Sequence, residues 1–434
     1  MREGLKPGPS RGGRSSLDPA PSKLGPSEPG SRKPPRFERP RVSSRDRTAL
    51  ALVVWAVILA QTLLYPGVDL LVRALGAGSR LGASTWFLGA EFLAFVIAVG
   101  VWGAASDAAG RRRPFVVGGA LAGAAGYVAL ALLGTTQPPF WLVLVVRFAQ
   151  GVATVGAFSL AMSMLADLAG GHGQNMGAAG IAIGFGTALG APIGGQLYSL
   201  GPFVPLWAAA GLLVAVGLLA LTIVDRAPPG EREGVREALG QLREMPGLAV
   251  PYAFGFADRL TAGFFALVGT LYFRTQFGLS PAATGLTLAL FFAPFALLQY
   301  PFGRLSDRIG RTVPIVVGSA LYGVTVLGIG AAATLSGARA GMVAVGVLGA
   351  LMSPATMALV VDLAPTDQRG VAVAGFNAAG SLGFLVGIVG GGLIAEAFGY
   401  WPAFAFAGGT EILLALVALP ALLKLQSSRD RVFS

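Results

Sequence analysis

Between residues 49 and 423 the chain is a succession of apolar runs, each about as long as a bilayer is thick, broken by short joints of Pro, Gly or charge. A helix that crosses the hydrocarbon core needs about 20 apolar residues. Measured that way the chain holds twelve, near 49–72, 83–106, 114–134, 139–166, 174–198, 203–224, 248–273, 281–303, 314–334, 340–361, 370–396 and 401–423. Lipid offers no partner to backbone N–H and C=O groups, so such runs must satisfy them internally, as helices do. Composition agrees, since 54% of the 434 residues are hydrophobic and only 12% charged. The expectation is an all-α integral membrane protein with twelve transmembrane helices.

The same composition narrows the chemistry. There is no cysteine and one histidine, His172, so thiolate or histidine metal clusters are excluded and proton chemistry falls to carboxylates. No cofactor or metal is expected. The phosphate loop Gly-x-x-x-x-Gly-Lys-[Ser/Thr] is absent and no insertion is long enough for a soluble catalytic domain, so the reading is a non-enzyme. Residues 1–47 hold twelve Lys/Arg among Pro, Ser and Gly. Their composition reads as a disordered basic tail, neither a signal peptide nor a nucleic-acid partner.

Charge also sets orientation. With a cytoplasmic N-terminus, 26 of the 32 Lys/Arg fall on the inner side and four on the outer, namely Arg73, Arg80, Arg274 and Arg339. Positive charge stays inside, so both termini are expected in the cytoplasm of a cell whose plasma membrane holds the chain. The longest joint, 225–247, is a cytoplasmic linker. It separates a six-helix bundle at 48–224 from a second at 248–424, and 425–434 form a short cytoplasmic tail.

The two halves repeat each other. "GAASDAAGRRRP" begins at Gly103 and "GRLSDRIGRTVP" at Gly303. Gly186, Gly190 and Gly194 in span five recur as Gly383, Gly387 and Gly391 in span eleven, and Asp167 after span four recurs as Asp362 after span ten. Glycine every fourth residue bares one helix face for close approach. Two pseudo-symmetric six-helix bundles with a site near the midplane are the plan of secondary transporters.

With these residues in view, the chain from residue 48 to about 424 resembles the major facilitator superfamily. Its loop motif Gly-x-x-x-Asp-Arg-x-Gly-Arg-Arg is matched by Gly103, Asp107, Gly110, Arg111 and Arg112, and again by Gly303, Asp307, Arg308, Gly310 and Arg311. The resemblance implies a gating latch in which the first glycine permits tight packing of span two on eleven, or eight on five. The arginines would bridge to Asp167 and Asp362. Ala108 replaces an arginine of the motif, so the first copy is expected to carry the weaker charge network. "RFAQG", from Arg147 to Gly151, resembles a span-four motif whose arginine is tied to proton coupling. "GTALGAPIGG", from Gly186 to Gly195, resembles a span-five antiporter motif, with Ala191 at the usual proline position and Pro192 one later.

Ionisable residues within spans cost about 2.5–3.5 kcal/mol each at the centre, so each calls for a role. Glu91 and Arg147 each lie about 12 Å into their spans from the same side, and Asp258 is also near the midplane. These three are the proton-coupling candidates. Gln61, Tyr65 and Asp69 share one face of span one, and Gln150 and Thr154 share the face of Arg147; they are the substrate-binding candidates. Asp69 has the alternative of a solvated interfacial acid. Pro66 is expected to kink span one, and Glu411 reads as a structural pair on a peripheral helix. Trp55, Tyr65, Phe148 and Phe158 could supply cation–π surfaces.

The leading expectation is therefore a monomeric, proton-coupled exporter of a small molecule, resembling drug–proton antiporters. A symporter or facilitator for a sugar or organic anion is the alternative. A membrane receptor fits less well, because no sensory domain is present.

Overall fold

The computed structural model describes residues 44–78, 81–168, 172–225, 240, 243–365 and 368–433; most of the basic tail and of the 225–247 linker lies outside them. Among the described residues eleven helices are long and apolar enough to cross a membrane, and Val204–Ala220 is a shorter apolar helix between two of them. We number the twelve in order. Helix α1 runs Ser44–Thr62 and resumes at Val68–Ala74; α2 is Leu81–Ala109, α3 Arg113–Thr136, α4 Phe140–Asp167, α5 His172–Leu197 and α6 Val204–Ala220. Helix α7 runs Ala249–Phe264, passes through a π-helical turn at Phe265–Gly269 and continues over Thr270–Gln276. Then come α8 (Pro281–Ile309), α9 (Thr312–Gly330), α10 (Leu335–Leu363), α11 (Arg369–Phe398) and α12 (Tyr400–Phe433). Helix α12 continues through residues expected to be a tail.

Local chemistry sets the joints. Proline opens α8 behind Ser280, whose hydroxyl accepts the N–H of Ala283 at 3.2 Å, and Thr334 caps α10 through the N–H of Gly337. Such caps satisfy donors that a helix start leaves without partners. The kink expected at Pro66 is a 3₁₀ turn over Tyr65–Gly67. The loop motif's central glycine is explained by backbone geometry, since Gly110 and Gly310 take φ of 61° and 87°, a region that side chains with a Cβ disfavour.

Packing pairs the helices across and within the halves. Helix α5 lies along α8 and α2 along α11, joining the first six helices to the last six; α1 lies on α5 and α7 on α11 within each six. The glycine stripes serve the second kind of contact. A Cβ at Gly186 would stand 3.0 Å from the Trp55 carbonyl, one at Gly190 would overlap Thr62, and one at Gly194 would run into the Leu63 carbonyl. On α11 the same holds of Gly383 and Gly387 against the carbonyls of Phe256 and Leu260, and of Gly391 against the Phe264 ring. Each stripe therefore seats α1 or α7 inside its own half.

Gly103 and Gly303 depart from expectation. A Cβ at Gly103 would meet nothing, and one at Gly303 would make only an ordinary 3.6 Å contact with Pro354. The tight approaches between halves lie elsewhere, at Gly82 against Glu396, Gly89 against Val389, Gly392 against Thr85, Gly195 against Ala282 and Gly285 against Pro192.

Candidate functional site

The centre of the first six helices is polar. Small residues on α3 let α4 come close: a Cβ at Gly119 would lie 2.7 Å from the Ala153 carbonyl, and one at Gly126 would lie 2.6 Å from the Gln150 side chain. On its other flank α4 meets α2 at Gly151, where a Cβ would stand 2.9 Å from the Glu91 carbonyl. This packing brings Glu91 of α2 and Arg147 of α4 together. Both are fully buried, with Arg147 Nη2 2.5 Å from Glu91 Oε2.

Three further groups fix the arginine. Its Nη1 donates to Gln150 Oε1 at 2.5 Å, and Gln150 Nε2 donates to Thr154 Oγ1 at 3.3 Å. Its guanidinium carbon stands 4.7 Å from the Phe87 ring centroid and 5.6 Å from that of Tyr127, within the range of cation–π attraction. Gln61 and Tyr65 of α1 are buried and also face the pair. Gln61 Nε2, Glu91 Oε1, Arg147 Nε and Tyr127 Oη are buried without a hydrogen bond of ordinary geometry. Of the aromatic candidates, Tyr65 is buried, whereas Trp55, Phe148 and Phe158 are half-buried.

Asp258 sits apart from this cluster. It is buried on α7, beside the exposed Arg259, and faces Ser353 of α10. Glu411 is fully buried on α12, with Oε2 2.5 Å from Ser319 Oγ of α9.

Asp69 is not in the centre and is not a solvated interfacial acid. It is buried at the end of the molecule away from the described chain ends, where its Oδ1 lies 2.7 Å from Arg274 Nε of α7, with Arg73 at 3.9 Å. This ion pair ties α1 to α7, one half to the other. Phe92 of α2 stacks on Phe384 of α11 at 4.4 Å between centroids. In the sequence Arg274 stands out only as one of four basic residues on that side. Its partner lies 205 positions away, and nothing local links the two.

At the opposite end the loop motifs form two arginine clusters, each within its own half. In the first, Arg112 and not Arg111 is the bridging residue; it is buried, ion-paired to Asp167 and 3.6 Å from Asp107, while Arg111 is exposed. Asp225, past the end of α6, accepts the backbone N–H groups of Arg112 and Arg113 at 3.1–3.2 Å, as an acid does at a helix start. In the second, Arg311 lies 2.6 Å from Asp307 and 3.2 Å from Asp362 and donates to Ser306. Asp307 is 63% exposed and Arg308 is exposed. The first cluster, expected to be the weaker, is the more buried one. A cavity of about 310 Å³ between α8 and α10 adjoins the second, lined by Tyr300, Gly303, Arg304, Asp307, Arg311 and Pro354.

Two six-helix sets joined at α2–α11 and α5–α8, with a buried ion pair in one, can be compared with known proteins. The family model described as Major Facilitator Superfamily matches residues 50–271 and 252–432. The chain belongs to this superfamily. With eleven described helices long and apolar enough to cross a bilayer, it is a multi-pass membrane protein of that superfamily. An uncharacterized transporter of the superfamily from Methanocaldococcus jannaschii is 32% identical over 167 residues, which is 38% of this chain and 42% of that protein. The class G tetracycline resistance protein of Vibrio anguillarum is 28% identical over 231 residues, 51% of this chain and 57% of that protein. The matched stretches thus span about half the length of these relatives. In fold, a solved bacterial homologue of the human lysosomal transporter Spinster superposes with a TM-score of 0.71 at 13% identity, covering 87% of this chain and 96% of that one.

Proposed function

We propose that the protein is a proton-coupled exporter that exchanges protons for a lipophilic, cationic small molecule, acting as a monomer with both termini in the cytoplasm. The observation that carries this is the fully buried Glu91–Arg147 pair on helices of one half. An ion pair in so dry a place adds little net stability over apolar side chains. Its use is chemical: a carboxylate deprived of water binds a proton readily when its counter-charge withdraws and releases it when that charge returns. Gln150, itself bonded to Thr154, holds Arg147, and Gln61 and Tyr65 face the same space from α1. A cation entering there would compete with Arg147 for Glu91, so proton and substrate would exclude one another, as exchange requires. The likeness to a tetracycline resistance protein supports export of a drug-like compound.

The Asp69–Arg274 pair and the close packing near it support a form closed at the end away from the termini. The arginine clusters, paired within halves here, would be remade across halves when the opposite end closes.

Purified protein in vesicles of known orientation, with a trapped pH dye, tests the reading. Adding a lipophilic fluorescent cation such as ethidium should move protons opposite to the cation. In Glu91→Gln, uphill movement driven by a pH gradient should be lost while downhill movement of the cation continues. Intact gradient-driven export in Glu91→Gln would place the proton site elsewhere, with Asp258 next to be tried.

A further inference from the structure

Glu411 has no part in that scheme, and its surroundings are unlike those of Glu91. Helix α12 packs against α9, α11 and α7. Helix α9 carries no charged residue, and α11 carries only Arg369 and Glu396, at its two ends. Helix α7 offers Asp258, Arg259 and Arg274; Arg259 is exposed, and Arg274 is engaged with Asp69 at the far end. The groups around Glu411 are thus Ser319 and, farther off, Tyr322 from α9, and Thr261 and, farther off, Asp258 from α7. None is a cation. An ionised carboxylate so placed would be costly to keep without a counter-charge.

The contact with Ser319 is compatible with a neutral carboxyl. Ser319 Oγ lies 3.2 Å from the backbone carbonyl of Glu411 and 2.5 Å from its Oε2. A serine has one hydroxyl hydrogen, and a carbonyl has none to give. If Ser319 donates to the carbonyl, its contact with Oε2 requires a hydrogen on the carboxyl. Tyr322 of α9, buried and without a hydrogen bond of ordinary geometry, faces both Asp258 and Glu411. Asp258 stands about two turns before the π-helical turn of α7, a kind of irregularity that often marks a working site.

We propose that Glu411 is a second proton-binding site, a carboxyl held neutral beside Ser319 in the half that also buries Asp258. This deepens the proton-coupled reading, but its test reads protonation and not transport, so the two can fail separately.

Infrared difference spectra of the purified full-length protein, in H2O and D2O, should show the carbonyl band of a neutral buried carboxyl at neutral pH. That band should be absent in Glu411→Gln and retained in Glu91→Gln. In Ser319→Ala it should persist at higher frequency, because the carboxyl has lost its acceptor. Raising the pH should abolish it, at a pH that Asp258→Asn changes. A band unaffected by Glu411→Gln, one removed instead by Glu91→Gln, or one that persists at every pH would each overturn the proposal.

Discussion

The two halves build one junction twice and put different chemistry in it. In the first half α4 meets α2 where Gly151 faces the Glu91 carbonyl; in the second α10 meets α8 where Gly346 faces the Phe291 carbonyl. One turn before each glycine stands Arg147 or Met342, so the pair Glu91–Arg147 of one half is Phe291–Met342 in the other. All four are buried. The fold therefore does not need the charges, since the same junction packs with a phenyl ring and a thioether. That difference argues that the ion pair is kept for what it does.

The largest expected effect comes from breaking this comparison on one side only. Arg147→Met leaves Glu91 buried without its counter-charge and should cost about 3–5 kcal/mol. The double variant Glu91→Phe/Arg147→Met copies the second half and should regain most of that loss, because apolar replacement of a buried pair is often neutral. Thermal unfolding in detergent measures both. A double variant no more stable than the single one would show that the junctions are not equivalent. Its transport should be uncoupled from the pH gradient in either event.

Next in size is the pair that joins the halves. Asp69→Asn removes one partner of a buried ion pair and should weaken closure at that end by about 2–5 kcal/mol. The chain has no cysteine, so a single Gln61→Cys reports access to the centre. Labelling by a membrane-impermeant thiol reagent from the side away from the termini should rise several-fold in Asp69→Asn. Exchanging the charges, Asp69→Arg with Arg274→Asp, should restore protection. Unchanged labelling in Asp69→Asn would mean that helix packing alone holds this end shut.

Smaller effects are expected at the repeated glycine stripes, where the halves are alike. Gly190→Leu would drive a side chain into Thr62, and Gly387→Leu into the Leu260 carbonyl. Overpacking of this kind costs about 1–3 kcal/mol, and in both halves it should lower transport with the protein still inserted. Normal transport by Gly190→Leu alone would separate the two stripes and remove the reason to read the first as part of an antiporter motif.

What was legible in the sequence follows from what hydropathy encodes. Span length is set by bilayer thickness and depth by the rise per residue, so the helices and the level of Glu91 and Arg147 could be read. Rotation about a helix axis could not. A helix apolar all round has no stripe to say which face meets which neighbour. That is why Gly103 and Gly303 are expected at a tight contact and are not, and why the sequence does not tell which of Arg111 and Arg112 bridges to Asp167. It is also why the Asp69–Arg274 pair, Asp225 at the start of α3 and Ser319 beside Glu411 had no signal: each joins segments distant in the chain.

The smallest expected effect sharpens the comparison at the loop motifs. From sequence alone the second copy, with Arg308, is the more complete, and Asp307→Asn should hurt at least as much as Asp107→Asn. That order concerns turnover; for stability the structure supports the opposite one. Asp107 faces Arg112, which is 1% exposed and also paired to Asp167. Asp307 is mostly in solvent, where water competes for its bond to Arg311 and an ion pair contributes about 0–1 kcal/mol. Asp107→Asn should therefore lower stability by up to about 1 kcal/mol more than Asp307→Asn. Turnover is a separate matter, since in a form closed at this end either aspartate could gain new partners across the halves. Measuring stability and transport rate side by side at matched expression distinguishes the two. Equal stability of the variants with unequal turnover would assign the difference between the copies to that other form. Wild-type turnover in both would remove the loop motifs from gating altogether.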